Sequence, residues 1–350
     1  MSPSRPQLVL HAGTHKTGSV ALQSFLAAHR DHLQRQGVLY PVLDDDAFSH
    51  ISLQKHVGLA HTSGNRGPLQ HTLNQLQEQI EKSSASCVVL SSEHFFAMPK
   101  AWVTTLLAAT EPLFGSVSLV IYLRSQRDLW ASLFNQHAKA LKVLPTHRPW
   151  GTADFLGPAL VENMFYADYL DAFACHLGAN RISARLYDPS QFSGGDVRAD
   201  FLEKAGLSPP AGGLSTSAAV NLSLGWKGVA LALTLAARYR LLESRSIVAR
   251  GMGKAFQQAH LEGLPDWLGS SPCFLSTEEQ RMIRETYTAS NVHLANEYAS
   301  DFDLFAIEPP RPHEERGLSD IDPAELRLVN TFIRDYLATP AAANDESSID

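Results

Sequence analysis

The chain has little sulfur, a modest share of charge and no long apolar run, and each shortage removes a class of protein. Only 3 cysteines stand among its 350 residues. Cys87, Cys175 and Cys273 are widely spaced and odd in number, so they build neither a disulfide framework nor a CxxC metal knuckle and read as buried free thiols. Charged residues make up 19% of the chain, with 29 Lys and Arg against 36 Asp and Glu, a formal net charge of -7. That balance excludes a generally basic surface for nucleic acid or an anionic membrane, so any anion site must be local. Nowhere do the ~18 apolar residues of a membrane span run together, and the most apolar stretch, Val229 to Ala237, is interrupted by Thr234. Leu8, Val9 and Leu10 alone precede His11, which is no signal-peptide core. The expectation is a soluble, cytoplasmic protein without stable membrane insertion. HExxH, GxSxG and GxGxxG are all missing, which leaves zinc hydrolysis, serine hydrolysis and dinucleotide oxidoreduction without support.

What is present is enough apolar material, 44% of residues, for a sizeable core. Short apolar runs at Leu8–His11, Cys87–Leu90 and Val117–Leu123 read as buried strands, Val38–Tyr40 before Pro41 as a second strand, and Ile182–Tyr187 is strand-like before Asp188-Pro189 stops it. Helical periodicity separates them: Ala21, Leu22, Phe25 and Leu26; then Leu69, Leu73, Leu76 and Ile80 within 67–82; then 128–141 and 161–177. Strands alternating with helices predict an α/β, three-layer fold with a central parallel sheet of about five strands. From residue 196 onward the pattern turns helical, at 197–205, 222–238 and 277–298, which makes a helical C-terminal half. The expected organisation is one domain over 1–307, with a motif core at 8–190 and a helical part at 196–307. A Pro-rich linker follows at 308–317, then a docking helix at 318–338 opened by Asp322-Pro323-Ala324-Glu325, and a disordered tail at 339–350.

The segment His11-Ala12-Gly13-Thr14-His15-Lys16-Thr17-Gly18-Ser19 carries the most chemistry. It follows a strand and opens a helix, where backbone N–H groups and the helix N-terminus bind phosphate. Gly13 and Gly18 allow close backbone approach, Lys16 supplies a point charge, and Thr17 and Ser19 supply hydroxyls. A Walker A loop needs the lysine after the second glycine; here it comes before, which disfavours a nucleoside triphosphatase.

This segment resembles the 5′-phosphosulfate loop of sulfotransferases that use 3′-phosphoadenosine-5′-phosphosulfate, whose pattern is approximately H-x-G-x-x-K-[ST]-G-[ST]-[ST]. A second segment, Tyr122 to Ser132, resembles that family's 3′-phosphate motif: Arg124 ends a strand and Ser132 lies eight residues on, in the next helix. A guanidinium and a hydroxyl placed so can hold one phosphate from two sides. The resemblance is clearest over 8–140. It implies that Gly13, His15, Lys16, Thr17, Gly18, Ser19, Arg124 and Ser132 bind the nucleotide, with no metal ion required. It departs at Val20, where many members carry a second hydroxyl, and in the cationic loop that some members close over the nucleotide, for which Arg245, Arg250 and Lys254 are substitute candidates beside the plainer reading of a solvated basic loop.

The activity implied is transfer of a sulfuryl group to a hydroxyl or amine of a carbohydrate, lipid head group or small molecule. Lys16 would stabilise charge on the leaving phosphate. Glu93 and His94, after the strand Cys87–Ser92, are the candidates for the base; set beside the family's Lys-Thr-His-Leu-Pro segment, Glu93 takes the base position. If the strand stayed extended to His94, the two side chains would point to opposite faces and only one could serve. Trp130 and Phe134 could flank an adenine or belong to the core. A small-molecule kinase and a non-catalytic adenosine-nucleotide-binding protein are the competing readings.

Overall fold

The computed structural model describes residues 5–14, 17–44, 46, 48–143, 158–209, 214, 222–239, 245–269, 274–298 and 316–338. The elements of the first half are β1 (Gln7–His11), α1 (Ser19–Ala28), α2 (Arg30–Arg35), β2 (Val38–Leu39), α3 (Ile51–Ser63), α4 (Gly67–Ser83), β3 (Cys87–Ser91), α5 (His94–Ala97), α6 (Ala101–Thr110), β4 (Ser116–Leu123) and α7 (Gln126–Lys139). They continue with α8 (Pro158–Asn163), α9 (Tyr166–Leu177), β5 (Ile182–Leu186), α10 (Val197–Lys204), β6 (Ser223–Leu224), α11 (Trp226–Tyr239), α12 (Arg245–Leu261), β7 (Leu268–Gly269), α13 (Thr277–Glu297) and α14 (Pro323–Leu337). Among the described residues no helix is long and apolar enough to cross a membrane. The chain divides into two compact units, one of residues 1–125, 157–219 and 286–308, the other of residues 126–156, 220–285 and 309–350.

The first unit holds a five-stranded parallel sheet in the order β2-β3-β1-β4-β5. Its central strands carry apolar side chains on both faces because both are covered. Val9, Val89, Val120 and Tyr122 pack with Leu22, Phe25 and Leu26 of α1 and Phe201 and Leu202 of α10. Leu8, Leu10, Val88 and Leu90, which alternate with them, are equally buried. The chain leaves β1 towards β2 on one side, whereas β4 leads to β5 on the other. The carboxyl ends of β1 and β4 therefore flank the point where the winding reverses, which is where open α/β sheets form a crevice.

The second unit is built on α7, α11, α12 and α14. Phe134, Ala138, Trp226, Leu231, Met252, Phe256, Val329 and Ile333 share one buried cluster. Trp130 is buried as well, so both aromatics of α7 are core side chains. Lys227 Nζ donates to Glu325 Oε2 at 2.7 Å and Trp267 Nε1 to the same oxygen at 3.1 Å, an ion pair that fastens α14.

The structure departs from four sequence expectations. The helical pattern at 161–177 is broken between α8 and α9, where Met164 and Phe165 close a turn onto Val161 and Glu162. The stretch 222–238 begins with β6, because Asn135 bonds both the N–H and the C=O of Leu224 and a side chain at Gly225 would overlap the carbonyl of Asp266. The basic segment at Arg245, Arg250 and Lys254 is helix rather than loop: it lies on α12, whose Val248, Met252 and Ala255 are buried. Of the cysteines expected to be buried, Cys87 is partly buried and Cys175 is exposed. Cys273, the linker at 308–315 and the tail beyond 338 lie outside the described residues.

Candidate functional site

The site grows from the carboxyl ends of β3, β1 and β4, which are neighbours in the sheet. His11 stands level with Ser91 of β3 and Val120 of β4. Beyond it the loop stays pinned to β4: Ala12 N–H donates to Val120 O at 3.1 Å, and Thr14 gives Tyr122 O both its N–H (3.2 Å) and its Oγ1 (3.0 Å). Thr17 Oγ1 donates back to Thr14 O at 2.6 Å, so this hydroxyl closes the loop on itself. His15 and Lys16 lie outside the described residues.

Two glycines shape the loop. Gly13 lies so close to the start of α1 that a Cβ there would overlap Ser19 Oγ and stand 3.3 Å from His11 Cε1. Gly18 has φ 72°, in the left-handed region, and a Cβ on it would meet Val197 Cγ1 at 3.0 Å and Tyr187 Oη at 3.3 Å. Ser19 then opens α1 with no acidic residue in the first turn. Its Oγ is buried and has no hydrogen-bond partner among the described residues. A stranded hydroxyl costs ~1–3 kcal/mol, so one at a helix N-terminus is a donor in want of an acceptor. Val20 is 67% exposed and adds no polar atom.

On the neighbouring strand β3, the expected extension to His94 does not occur. Ser92 turns the chain: its Oγ accepts from His94 N–H at 3.2 Å and its carbonyl from Phe95 N–H at 3.3 Å. Glu93, at φ -68° and ψ -21°, is helical and precedes α5. Strand alternation therefore does not separate Glu93 from His94, and both are partly exposed. Burial holds His94 below the ordinary histidine value; Glu93 opposes this and Lys55 adds to it.

One helix braces this segment and the end of β4 together. Tyr169 of α9 donates to Phe95 O at 2.8 Å, and Tyr166, one turn earlier, donates to Arg124 O at 2.7 Å. Asn163 of α8 donates to Phe96 O and Met98 O at 2.5 and 2.8 Å. Arg124 itself follows β4 directly and is partly exposed. Burial raises the Tyr187 phenol above its usual range, and the charge of Arg124 opposes that rise. Tyr187 thus adjoins both Gly18 and Arg124, a position no motif advertises. Ser132 stands on α7, in the second unit, and is partly buried.

The first unit is thus a parallel α/β fold in which a helix N-terminus, Glu93 and Arg124 follow three neighbouring strands, with the Ser19 hydroxyl left without a partner among the described residues. Compared with solved structures, the chain is similar to a sulfotransferase from Alicyclobacillus acidocaldarius, with a TM-score of 0.41 at 10% identity over 84% of this chain and 95% of that one. It is also similar to a sulfotransferase domain from the curacin biosynthetic pathway, with a TM-score of 0.33 at 17% identity over 59% of this chain and 76% of that one. No protein-family model and no curated protein sequence matches it.

Proposed function

We propose that the protein is a sulfotransferase that takes a sulfuryl group from 3′-phosphoadenosine-5′-phosphosulfate and passes it to a hydroxyl or amine of a carbohydrate, lipid head group or small molecule. The observation that carries this reading is the adjacency of three strand ends. The loop of Gly13 to Ser19, the carboxylate of Glu93 and the guanidinium of Arg124 follow β1, β3 and β4, which lie side by side. The crowding at Gly13 and a Ser19 Oγ that has no partner among the described residues fit a loop that binds an oxyanion through its backbone and first helical turn.

In this reading Lys16 and the loop N–H groups receive the 5′-phosphate, with Thr17 shaping the loop, and Arg124 receives the 3′-phosphate. The bond from sulfur to the 5′-phosphate oxygen breaks as the acceptor oxygen or nitrogen bonds to sulfur. Negative charge collects on the leaving phosphate, where Lys16 stabilises it. Glu93 takes the acceptor proton, and His94 is the other candidate. Because burial already holds His94 low, the acid limb of a pH profile separates the two poorly. Glu93→Gln and His94→Gln, compared at one pH, separate them directly.

The deciding experiment is calorimetry of the wild-type chain with 3′-phosphoadenosine-5′-phosphate and with ATP and Mg²⁺. Tighter binding of the first, together with sulfuryl transfer that survives EDTA, supports the reading. Tighter binding of ATP, or turnover abolished by chelation, points to a kinase, and nucleotide binding without transfer to any acceptor points to a non-catalytic protein.

A further inference from the structure

β1 ends against the pattern of its own packing. Val9 and His11 face the same side of the sheet, and the ring of His11 sits edge-on to Phe201 and Tyr122, with centroids 5.4 and 5.9 Å away. It is fully buried. Nε2 has no partner among the described residues, whereas an apolar side chain would fill the place and strand nothing. What the imidazole does gain is one bond, Nδ1 to Ser91 Oγ at 2.7 Å.

Ser91 is held from elsewhere too. His50, the residue before α3, is fully buried. It accepts from Ser91 N–H through Nδ1 at 2.9 Å and donates its own N–H to Ser91 O at 3.0 Å, while Nε2 donates to Pro41 O at 3.1 Å. The hydroxyl, N–H and carbonyl of Ser91 are therefore all bound by two histidines. The next residue is bound to the first of them, Ser92 N–H donating to His11 O at 3.1 Å. Glu93 follows at once. Across β1, the backbone of His11 leads in two residues to Gly13.

We infer that His11 and His50 are positioning residues, which clamp Ser91 so that Glu93 leaves β3 at a fixed place beside the phosphate loop. The inference rests on the sulfotransferase reading. Neither imidazole is a catalytic residue; each acts through Ser91. Misplacing a reacting group by about 1 Å costs about a hundredfold in rate, so a clamp of this kind shows in kcat rather than in nucleotide binding.

The test uses the full chain and His11→Leu, which keeps the volume and removes the bond. We expect kcat to fall about a hundredfold, the dissociation constant for 3′-phosphoadenosine-5′-phosphate to stay within about threefold, and Tm to change little, because removing Nε2, which has no partner among the described residues, offsets the bond that Ser91 Oγ loses. His11→Asn, whose amide reaches the place of Nδ1, recovers most of the turnover. Amide hydrogen exchange speeds up at residues 91–95 in His11→Leu and not across the remaining sheet. Near-normal kcat in His11→Leu overturns the inference, as does a loss that tracks a lower Tm with faster exchange everywhere. If the wild type fails to bind the nucleotide, the sulfotransferase reading falls on its own. The exchange measurement needs no nucleotide and then decides the clamp: unchanged exchange at 91–95 refutes it, local acceleration upholds it.

Discussion

Asp200 of α10 and Arg185 of β5 are paired fork to fork, with Nη2 to Oδ1 at 2.9 Å and Nε to Oδ2 at 3.3 Å. Tyr122 of β4 donates its hydroxyl to the same Oδ2 at 2.8 Å. The carboxylate is 1% exposed, and through it α10 is tied to two strands while its Val197 abuts Gly18. Removing one partner of a buried pair leaves the other charge without compensation, which costs about 3 kcal/mol. Asp200→Ala is expected to lose that much stability in urea unfolding at unchanged m-value, and Asp200→Asn less. A loss below about 1 kcal/mol would show that the pair is solvated.

Gly13→Ala tests the loop. The added methyl displaces Ser19 Oγ and presses on Ser19 Cβ, 3.2 Å from the new atom. Overpacking of this size costs ~1–3 kcal/mol. Affinity for 3′-phosphoadenosine-5′-phosphate is expected to drop at least about tenfold, because the change strikes the first helical turn that the anion needs. Calorimetry on a variant that remains folded by circular dichroism reads this, and wild-type affinity would remove the loop from the binding site.

Arg124→Ala is expected to weaken 3′-phosphoadenosine-5′-phosphate by ~10–100-fold, the scale of a charged hydrogen bond. Adenosine-5′-phosphosulfate lacks the 3′-phosphate and should bind the variant almost as well as the wild type. Equal losses for the two ligands would mean that Arg124 serves the fold, through the backbone that Tyr166 already holds.

Acid should weaken the native state through two histidines. Burial holds His11 at about 3, and His50 at about 4 with its hydrogen bonds to Pro41 and Ser91 opposing. Unfolded, both titrate near ~6.5. Between those values the unfolded chain binds more protons, so stability is full above ~6.5 and declines as pH falls, towards about 4 for His50 and about 3 for His11. At pH 5 each histidine accounts for about 2 kcal/mol. Urea unfolding between pH 7 and pH 5 measures the decline, and His50→Gln should remove about one proton from the slope. An unchanged slope would place the effect in other groups.

The three central strands, β3, β1 and β4, are legible in the sequence to within a residue or two because they are rich in apolar side chains on both faces, whereas the edge strands β2 and β5 are marked by the prolines that follow them, Pro41 and Pro189. Helices α3 and α6 are not. α3 buries only Leu53, Val57 and Gly58, too thin a stripe to register, and α6 is apolar almost all round. Gly58 shows why they meet: a Cβ there would press into the ring of Trp102 at 2.5 Å. The loop glycines and Arg124 were visible as motifs. The turn at Ser92, which makes Glu93 helical, depends on a side chain bonding its own backbone and is hidden in an apolar-to-polar transition. His50, Tyr166, Tyr169 and Tyr187 carry no local signal at all, since their partners lie far along the chain.

The second unit draws its buried cluster from α7, α11, α12 and α14, so Phe134 waits for Val329 and Ile333 before that core can close. During synthesis, α7 leaves the ribosome long before its last packing partners exist, and the first unit has all five strands by residue 186. Ribosome-bound chains stopped at residue 320 should therefore hold all five strands of the sheet while the second unit's apolar surface is still open, the state in which a chaperone finds most to hold.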